Sequence, residues 1–302
     1  MAGSQHWIAV DWGTSHVRAW KMGGDGAVLD HAQSSAGMSG LSPAEFEPAL
    51  MALIAPWLGE ASTRVVACGM VGARQGWTEA PYVTAPCPPP SGAVAVAVQA
   101  QSPQIALVIL PGIKQDAPAD VMRGEETQIA GFLALEPTFD GVLCLPGTHT
   151  KWVRISAGEI VSFQTFMTGE LFALLSDTSV LRHSIGSGWD APAFQAALAD
   201  SMGRPQAFAQ RLFGLRAGSL IAGLGADTAR ARLSGALIGL ELAGAKPYWL
   251  GQDIAIIGDG TLAGHYETAL AAQGVTARMT DVDRVTLAGL TAAYHNITGT
   301  RP

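Results

Sequence analysis

Apolar positions along the chain come in short blocks with two different periods. Residues 7–10, "WIAV", and 16–20, "HVRAW", read as two strands around a turn that opens with Asp11. Residues 43–58, "PAEFEPALMALIAPWL", have helical spacing, with Pro43 in the first turn. "RVVACGMVG" (64–72) reads as a buried strand running into a glycine-rich loop, and "IALVILPG" (105–112) as another buried strand. Between them, "APCPPPSG" (85–92) is a loop, because its prolines exclude a helix or a central strand. Residues 121–135 predict a helix with acids at its start, where the partial positive charge of the helix favours them. A strand, a turn and a strand follow over 141–155, then helices at about 168–181, 191–200 and 204–215. A long apolar helix covers 228–245, a strand enters a glycine turn over 253–262, and a last helix covers 282–296. The pattern is mixed α/β.

A weak internal repeat adds to this. "GTSHVRAW" (13–20) and "GTHTKWVR" (147–154) are both Gly-Thr turns between strand-like runs, 134 residues apart, close to half the chain. A length of 302 residues also favours two domains, with the boundary drawn at 118/119: 1–118 and 119–302. Composition narrows the class. Apolar residues make up 48% and charged residues 14%, enough core and too little charge for long disordered tails. The net charge of −7, with no basic block, argues against nucleic acid as a partner. No apolar run is long enough for a membrane span, and "MAGSQHW" has no leader-like pattern. Three cysteines, Cys68, Cys87 and Cys144, with no CxxC, fit a reducing cytoplasm and no zinc site; Cys144 reads as core.

The turns carry the candidate chemistry. A glycine turn between strands can aim several backbone N–H groups at one anion, and Thr14, Ser15, Thr148 and Thr150 can add hydroxyl donors. Asp11 beside a polyphosphate would need a cation between them, and Mg²⁺ bridges phosphates to one or two acids. Asp11 as a plain turn cap is the competing reading. A third turn, "IIGDGTL" (256–262), could let an adenosine lie against Gly258 and Gly260. No GxGxxG follows the first strand and no GxxxxGK[ST] occurs, so a Rossmann site and a P-loop are disfavoured. "MRGEET" (122–127) offers Glu125 or Glu126 as the base that a phosphoryl transfer needs, and Arg123 as a fork for a substrate carboxylate. The same three residues also read as a helix cap with its own ion pair. Arg74, Gln75, Trp77 and Tyr82, in the irregular segment 69–83, suit a small polyol; the alternative is a surface loop anchored by Trp77. Thr168 and Glu170 in "FMTGEL" read foremost as helix capping. Lys151 could neutralise phosphate or stand solvated on its strand.

Taken in order, "DWGTSHVRAW", "GMVGARQGW", "APY", "VMRGEETQ", "PGTHTKW" and "MTGEL" resemble the 2-dehydro-3-deoxygalactonokinase family, within the actin, sugar kinase and heat-shock-protein-70 superfamily. The resemblance implies an α/β fold of two ribonuclease-H-like domains with a nucleotide cleft between them. It implies ATP and Mg²⁺ as cofactors and phosphorylation of 2-dehydro-3-deoxy-D-galactonate at its 6-hydroxyl. By position, Asp11 would be the metal-associated acid. Gly13, Thr14 and Ser15 would contact the terminal phosphates, and Gly147, Thr148 and His149 would form the second phosphate loop. Gly258, Gly260 and Thr261 would lie along adenosine. Where hexokinases carry a catalytic aspartate this chain has Glu125-Glu126-Thr127, with Glu126 favoured over Glu125 as base. The expected partner is a small sugar acid in the cytoplasm, with no nucleic acid and no membrane, and a homodimer left open. The rivals are a kinase for another sugar or sugar acid, a nucleotide-switched ATPase of the same fold, and a ribonuclease-H-like nuclease. The last would need clustered acids and a basic groove.

Overall fold

In the computed structural model, which describes residues 6–90, 92–258 and 260–299, the first strand has two buried faces. Along β1 (Trp7–Trp12), Ile8, Val10 and Trp12 join one apolar cluster while Trp7 and Ala9 join another. By the same alternation Asp11 belongs with Trp7 and Ala9. β1 pairs antiparallel with β2 (Val17–Met22), which pairs with β3 (Val28–Ser34). α1 (Phe46–Ile54) covers the first face with Phe46, Leu50 and Ile54, and a capping box at Ser42 and Glu45 prepares its start. β4 (Thr63–Gly69) returns parallel to β1. β5 (Tyr82–Thr84) leaves this layer, and β6 (Val96–Ala97) and β7 (Ile105–Ile109) complete the sheet in the order β3-β2-β1-β4-β7-β6. β8 (Gly112–Asp116) and β9 (Ala119–Met122) form a separate three-stranded sheet with β5, which brings Tyr82 beside the start of α2 (Glu125–Leu135).

A second sheet follows. β10 (Gly141–Leu145), β11 (Thr150–Ser156) and β12 (Glu159–Phe166) run into α3 (Thr168–Ala173), α4 (Ala191–Gly203), α5 (Phe208–Ile221), α6 (Ala226–Gly244) and α7 (Lys246–Trp249). β13 (Ile254–Ile257), α8 (Gly260–Ala271) and β14 (Ala277–Thr280) finish it, in the order β12-β11-β10-β13-β14. Val142, Cys144 and Trp152 pack there against Phe194 and Leu198 of α4, Ile238 and Leu242 of α6, and Tyr266 and Leu270 of α8. Relabelled from its own first strand, this sheet repeats the order β3-β2-β1-β4-β7 of the first. In both, the first two strands form an antiparallel hairpin and the fourth lies parallel to the first. The repeat between the two Gly-Thr turns is thus a repeat of strand topology.

α9 (Val282–Thr298) returns the chain to the first sheet, covering its second face with Leu290 and Ala293. Contacts accordingly divide the chain into two compact units: residues up to 139 with 156–162 and those from 282 on, and residues 140–155 with 163–281. The boundary at 118/119 does not follow this division, because α2 packs backbone-to-backbone on α9. A Cβ added at Gly131 would meet Val285 O at 1.8 Å, and one at Gly289 would meet Thr127 O at 2.0 Å. Several predicted elements also shift. The helix read over 121–135 begins only at Glu125, since 119–122 is strand β9. The helix read over 168–181 is α3 followed by a π turn and a 3₁₀ turn. There the Thr178 and Ser179 hydroxyls donate to the Leu174 and Leu175 carbonyls, both at 2.6 Å, and loosen the helical ladder. The helix read over 204–215 is a Pro205 turn leading into α5. No helix among the described residues is long and apolar enough to cross a membrane. All three cysteines are buried free thiols.

Candidate active site

In the first unit, the parallel pair β1–β4 sets Asp11 beside Cys68 at the carboxyl ends of the strands, the edge where open α/β sheets bind ligands. β4 ends at Gly69, which has φ +90. Gly124, with φ +111, lies so close that an added Cβ would stand 3.3 Å from the Gly69 Cα. Positive φ and a backbone contact both require glycine here. This packing fixes the residues 123–126 against the strand ends.

Glu126 is 1% exposed, and its two carboxyl oxygens accept the Gly124 N–H at 2.9 and 2.7 Å. Burial, reinforced by the neighbouring charge of Glu125, pushes its pKa up to about 8 against the pull of those hydrogen bonds and of Arg123. Glu125 accepts the Arg123 N–H at 3.1 Å. The Cys68 thiol donates to Asp11 Oδ1 at 3.7 Å, and burial, then the charges of Asp11 and Glu126, hold it protonated. Arg18 Nη2 donates to Asp11 Oδ2 at 2.6 Å, and its Nη1 donates to Asp283 at the start of α9. Asp11 and Arg18 are partners in the hairpin register, so the pair was readable from the turn length. Asp283 was not, being 265 residues from Arg18.

Arg123 is 9% exposed. Its Nη2 donates to the Ala80 carbonyl at 2.8 Å, and its guanidinium lies 4.3 Å over the Tyr82 ring. Its Nε and Nη1 are buried with no hydrogen-bond acceptor among the described residues. A Cβ at Gly72 would come within 3.0 Å of Nη1, so the loop glycine leaves room for this side chain. The rest of the loop is placed differently. Arg74, 82% exposed at its side chain, pairs with Glu79 at 3.6 Å, and Gln75 is exposed. Trp77 packs into the core against Phe46, as an anchor.

Both Gly-Thr turns are propped from behind in one way. In the first, the Gly13 and Thr14 carbonyls accept the Met38 and Ser39 amides at 3.1 and 3.0 Å. Gly37 lets this segment in: an added Cβ would stand 2.2 Å from Ser15 C. In the second, the Thr148 carbonyl accepts the Glu170 amide at 2.9 Å, and a Cβ at Gly169 would stand 2.3 Å from Gly147 O. A trans peptide points its N–H opposite its C=O, so anchoring these carbonyls turns the amides of Thr14, Ser15 and His149 away from the props. Both turns therefore keep backbone amides free of the segments that prop them. The sequence pattern gave no sign of the 37–39 prop. His149 Nε2 lies 2.5 Å from Glu170 Oε2.

The second turn opens on a cavity of about 460 Å³ within the second unit. Gly147, Thr148, Thr168, Glu170 and Thr261 line it with Phe172, Leu237 and Ile238. Of the adenosine-type residues, Thr261 is on the wall; Gly258 is packed at the end of β13 near Ala263 and Pro146, and Gly260 starts α8 with φ +56. Behind the wall, Glu241 accepts from Trp152 Nε1 at 2.8 Å and from the Tyr266 hydroxyl at 2.6 Å, and Thr150 lies 2.8 Å from the same hydroxyl. Burial pushes Glu241 up to about 7, offset by bonds from Thr168, Tyr266, Trp152 and Thr150.

A family model described as 2-keto-3-deoxy-galactonokinase matches residues 11–293. The chain belongs to the 2-keto-3-deoxy-galactonokinase family. It is 40% identical over 307 aligned positions to a Rhizobium meliloti (strain 1021) protein assigned as 2-dehydro-3-deoxygalactonokinase, covering 98% of this chain and 99% of that one. It is 36% identical to the Escherichia coli (strain K12) 2-dehydro-3-deoxygalactonokinase, over 96% and 98%. A crystal structure of a Sinorhizobium meliloti protein given the same assignment superposes with a TM-score of 0.90 at 40% identity, over 96% and 99% of the two chains. At 9% identity, the activator of a 2-hydroxyisocaproyl-CoA dehydratase from Clostridium difficile shares the fold, with a TM-score of 0.50 over 97% and 95%. The fold is that of the actin-like ATPases and sugar kinases, and this family of sugar-acid kinases uses ATP as phosphate donor. A switched ATPase and a nuclease are thereby set aside.

Proposed function

We propose that the protein transfers the γ-phosphoryl group of ATP to the 6-hydroxyl of 2-dehydro-3-deoxy-D-galactonate, in cytoplasmic galactonate breakdown. One observation carries the acceptor class: the buried Arg123 guanidinium keeps two donors, Nε and Nη1, without an acceptor among the described residues. Unpaired buried donors are costly, and a carboxylate matches the guanidinium fork. A neutral sugar's hydroxyls could accept from these donors but would leave the buried positive charge without a counter-charge, so a sugar acid fits better. Arg123 therefore holds the substrate carboxylate, and Tyr82 keeps the guanidinium in place. Arg74 is not needed for that task, having Glu79 as partner.

Glu126 is the base. As a carboxylate it takes the proton of the acceptor hydroxyl; the hydroxyl oxygen forms the new bond to the γ-phosphorus, the bond to the bridging oxygen breaks, and ADP leaves. A base with a pKa of about 8 is strong enough to drive that proton transfer near neutral pH. Glu125 braces the Arg123 backbone. Backbone amides of a Gly-Thr turn spread charge off the phosphates, which is the main catalytic term in phosphoryl transfer. The kinase family implies Mg²⁺. Asp11 would hold it through water, Arg18 already occupying Oδ2, and the ion would neutralise phosphate charge.

The test is an ADP-release assay against a panel containing 2-dehydro-3-deoxygalactonate, its gluconate epimer and neutral hexoses, with the product identified by phosphorus NMR. The expected result is a 6-phosphate from the galactonate derivative and no turnover of neutral sugars. Equal turnover of neutral sugars would remove the role given to Arg123.

A further inference from the structure

Trp189 belongs to no motif read from the sequence, yet it stands at the wall of the cavity that the second phosphate turn shares with Thr261. Its indole is stacked on the His265 imidazole of α8, with centroids 3.9 Å apart and planes 11° apart, and tilts against Phe194 at 5.2 Å. Despite these two ring neighbours it stays 38% exposed. The loop that carries it is fixed to α6. Gly188 N–H donates to Asp227 Oδ1 at 2.8 Å, Gly186 N–H to the Ala226 carbonyl at 3.0 Å, and the Thr228 hydroxyl to Asp190 Oδ2 at 2.7 Å. Asp190 also caps α4 through the Ala193 N–H at 3.1 Å. A Cβ at Gly188 would stand 2.4 Å from Asp227 Oδ2, so a side chain there would have to displace the carboxylate that holds the loop. A large aromatic surface is therefore held rigid and partly bare, next to apolar Phe172 and Ile238 on the wall and the polar Thr148 turn. Burial, then the charge of Arg230, lowers the His265 pKa, which favours the neutral imidazole in the stack.

We infer that the Trp189–His265 stack is the platform for the purine base of the nucleotide, and so sets the base preference of the kinase. A chamber with an aromatic, apolar part and an amide-rich turn matches a ligand with a flat apolar base and an anionic tail. Aromatic stacking is tolerant among bases but strongest for the larger purines. This rests on ATP being the phosphate donor, and goes beyond it by naming the residues that select the base.

The test measures binding of ATP, GTP and UTP to the full-length protein by calorimetry, with no acceptor present, for wild type, Trp189→Ala and Trp189→Phe. Trp189→Ala should weaken ATP about tenfold or more, and UTP much less, which narrows the purine preference. Trp189→Phe keeps a stacking face and should bind ATP nearly normally. ATP affinity unchanged in Trp189→Ala overturns the assignment. Because nucleotide binding is read without acceptor, failure of the acceptor assignment leaves this result standing.

Discussion

Glu125 and Glu126 are neighbours with different environments, and the difference is the ground for proposing Glu126 as the base. Glu126 is buried under the Gly124 amide and titrates at about 8, while Glu125 lies at the more accessible edge of the same turn. Replacing Glu126 by Gln should lower kcat by about a hundredfold or more, the usual worth of a general base, with ATP affinity retained. Glu125→Gln should cost only a few-fold. The pH dependence follows from the sign of the shift: the base acts when deprotonated, so kcat/KM for the acceptor should rise with pH and level off above about 8. Arg123→Lys should raise KM for the sugar acid at least tenfold and leave KM for ATP alone, because an ammonium cannot replace the fork. The residue types at these positions were readable in "MRGEET". Which glutamate is buried was not, since it depends on the contact of Gly124 with Gly69, 55 residues earlier. The expected role of Arg74 and Gln75 failed to gather support for the same reason: a glycine-rich loop does not announce which side chains turn inward.

At the scale of elements, the two hairpins were legible because strand-like runs flank each Gly-Thr pair. Their props were not. "GMS" at 37–39 and "TGE" at 168–170 show no shared period, and only packing reveals that both clamp the carbonyls of a turn. This gives a test of the second turn as a phosphate site. In Gly169→Ala the new methyl must displace the Gly147 carbonyl or the 168–170 segment, so KM for ATP should rise several-fold or more while KM for the sugar acid is unchanged. An unaltered ATP KM in steady-state kinetics would mean that the turn tolerates displacement. The α2–α9 contact is a second case. Gly131→Ala forces the helices apart, which should cost roughly 1–3 kcal/mol in denaturant unfolding and lower turnover as well, because α2 carries Glu126 at its first turn. Edge strands such as β3 and β14 escaped the sequence reading, being short and mostly exposed, without the alternation that marks a half-buried strand.

For the molecule as a whole, the duplication was visible only as two turns half a chain apart, yet it extends to all five strands of the second sheet and the five that match them in the six-stranded first sheet. What the sequence hid was the path of the chain: α9 closes the first unit after the second is complete, and no local signal marks a long-range return. Two buried acids, one in each unit, link stability to pH. Glu126 and Glu241 hold protons in the folded protein that the unfolded chain releases near pH 4.5. Their stabilisation is fully present below that value and is lost as pH rises through about 7 for Glu241 and about 8 for Glu126. Thermal unfolding should therefore show Tm falling between pH 5 and 9, and Glu126→Gln combined with Glu241→Gln should flatten the fall. A double variant with the wild-type pH dependence would show that neither acid is held protonated.

The central claim is that Glu126 takes the proton from the hydroxyl of an acid-bearing sugar. The most direct measurement is a single-turnover experiment with bound ATP and 2-dehydro-3-deoxygalactonate, followed from pH 6 to 9 in wild type and Glu126→Gln. The phosphoryl-transfer rate should climb with pH in the wild type, and be slow and flat in the variant, with ATP bound equally well by both. A variant that transfers at the wild-type rate, or with the wild-type pH profile, would contradict it.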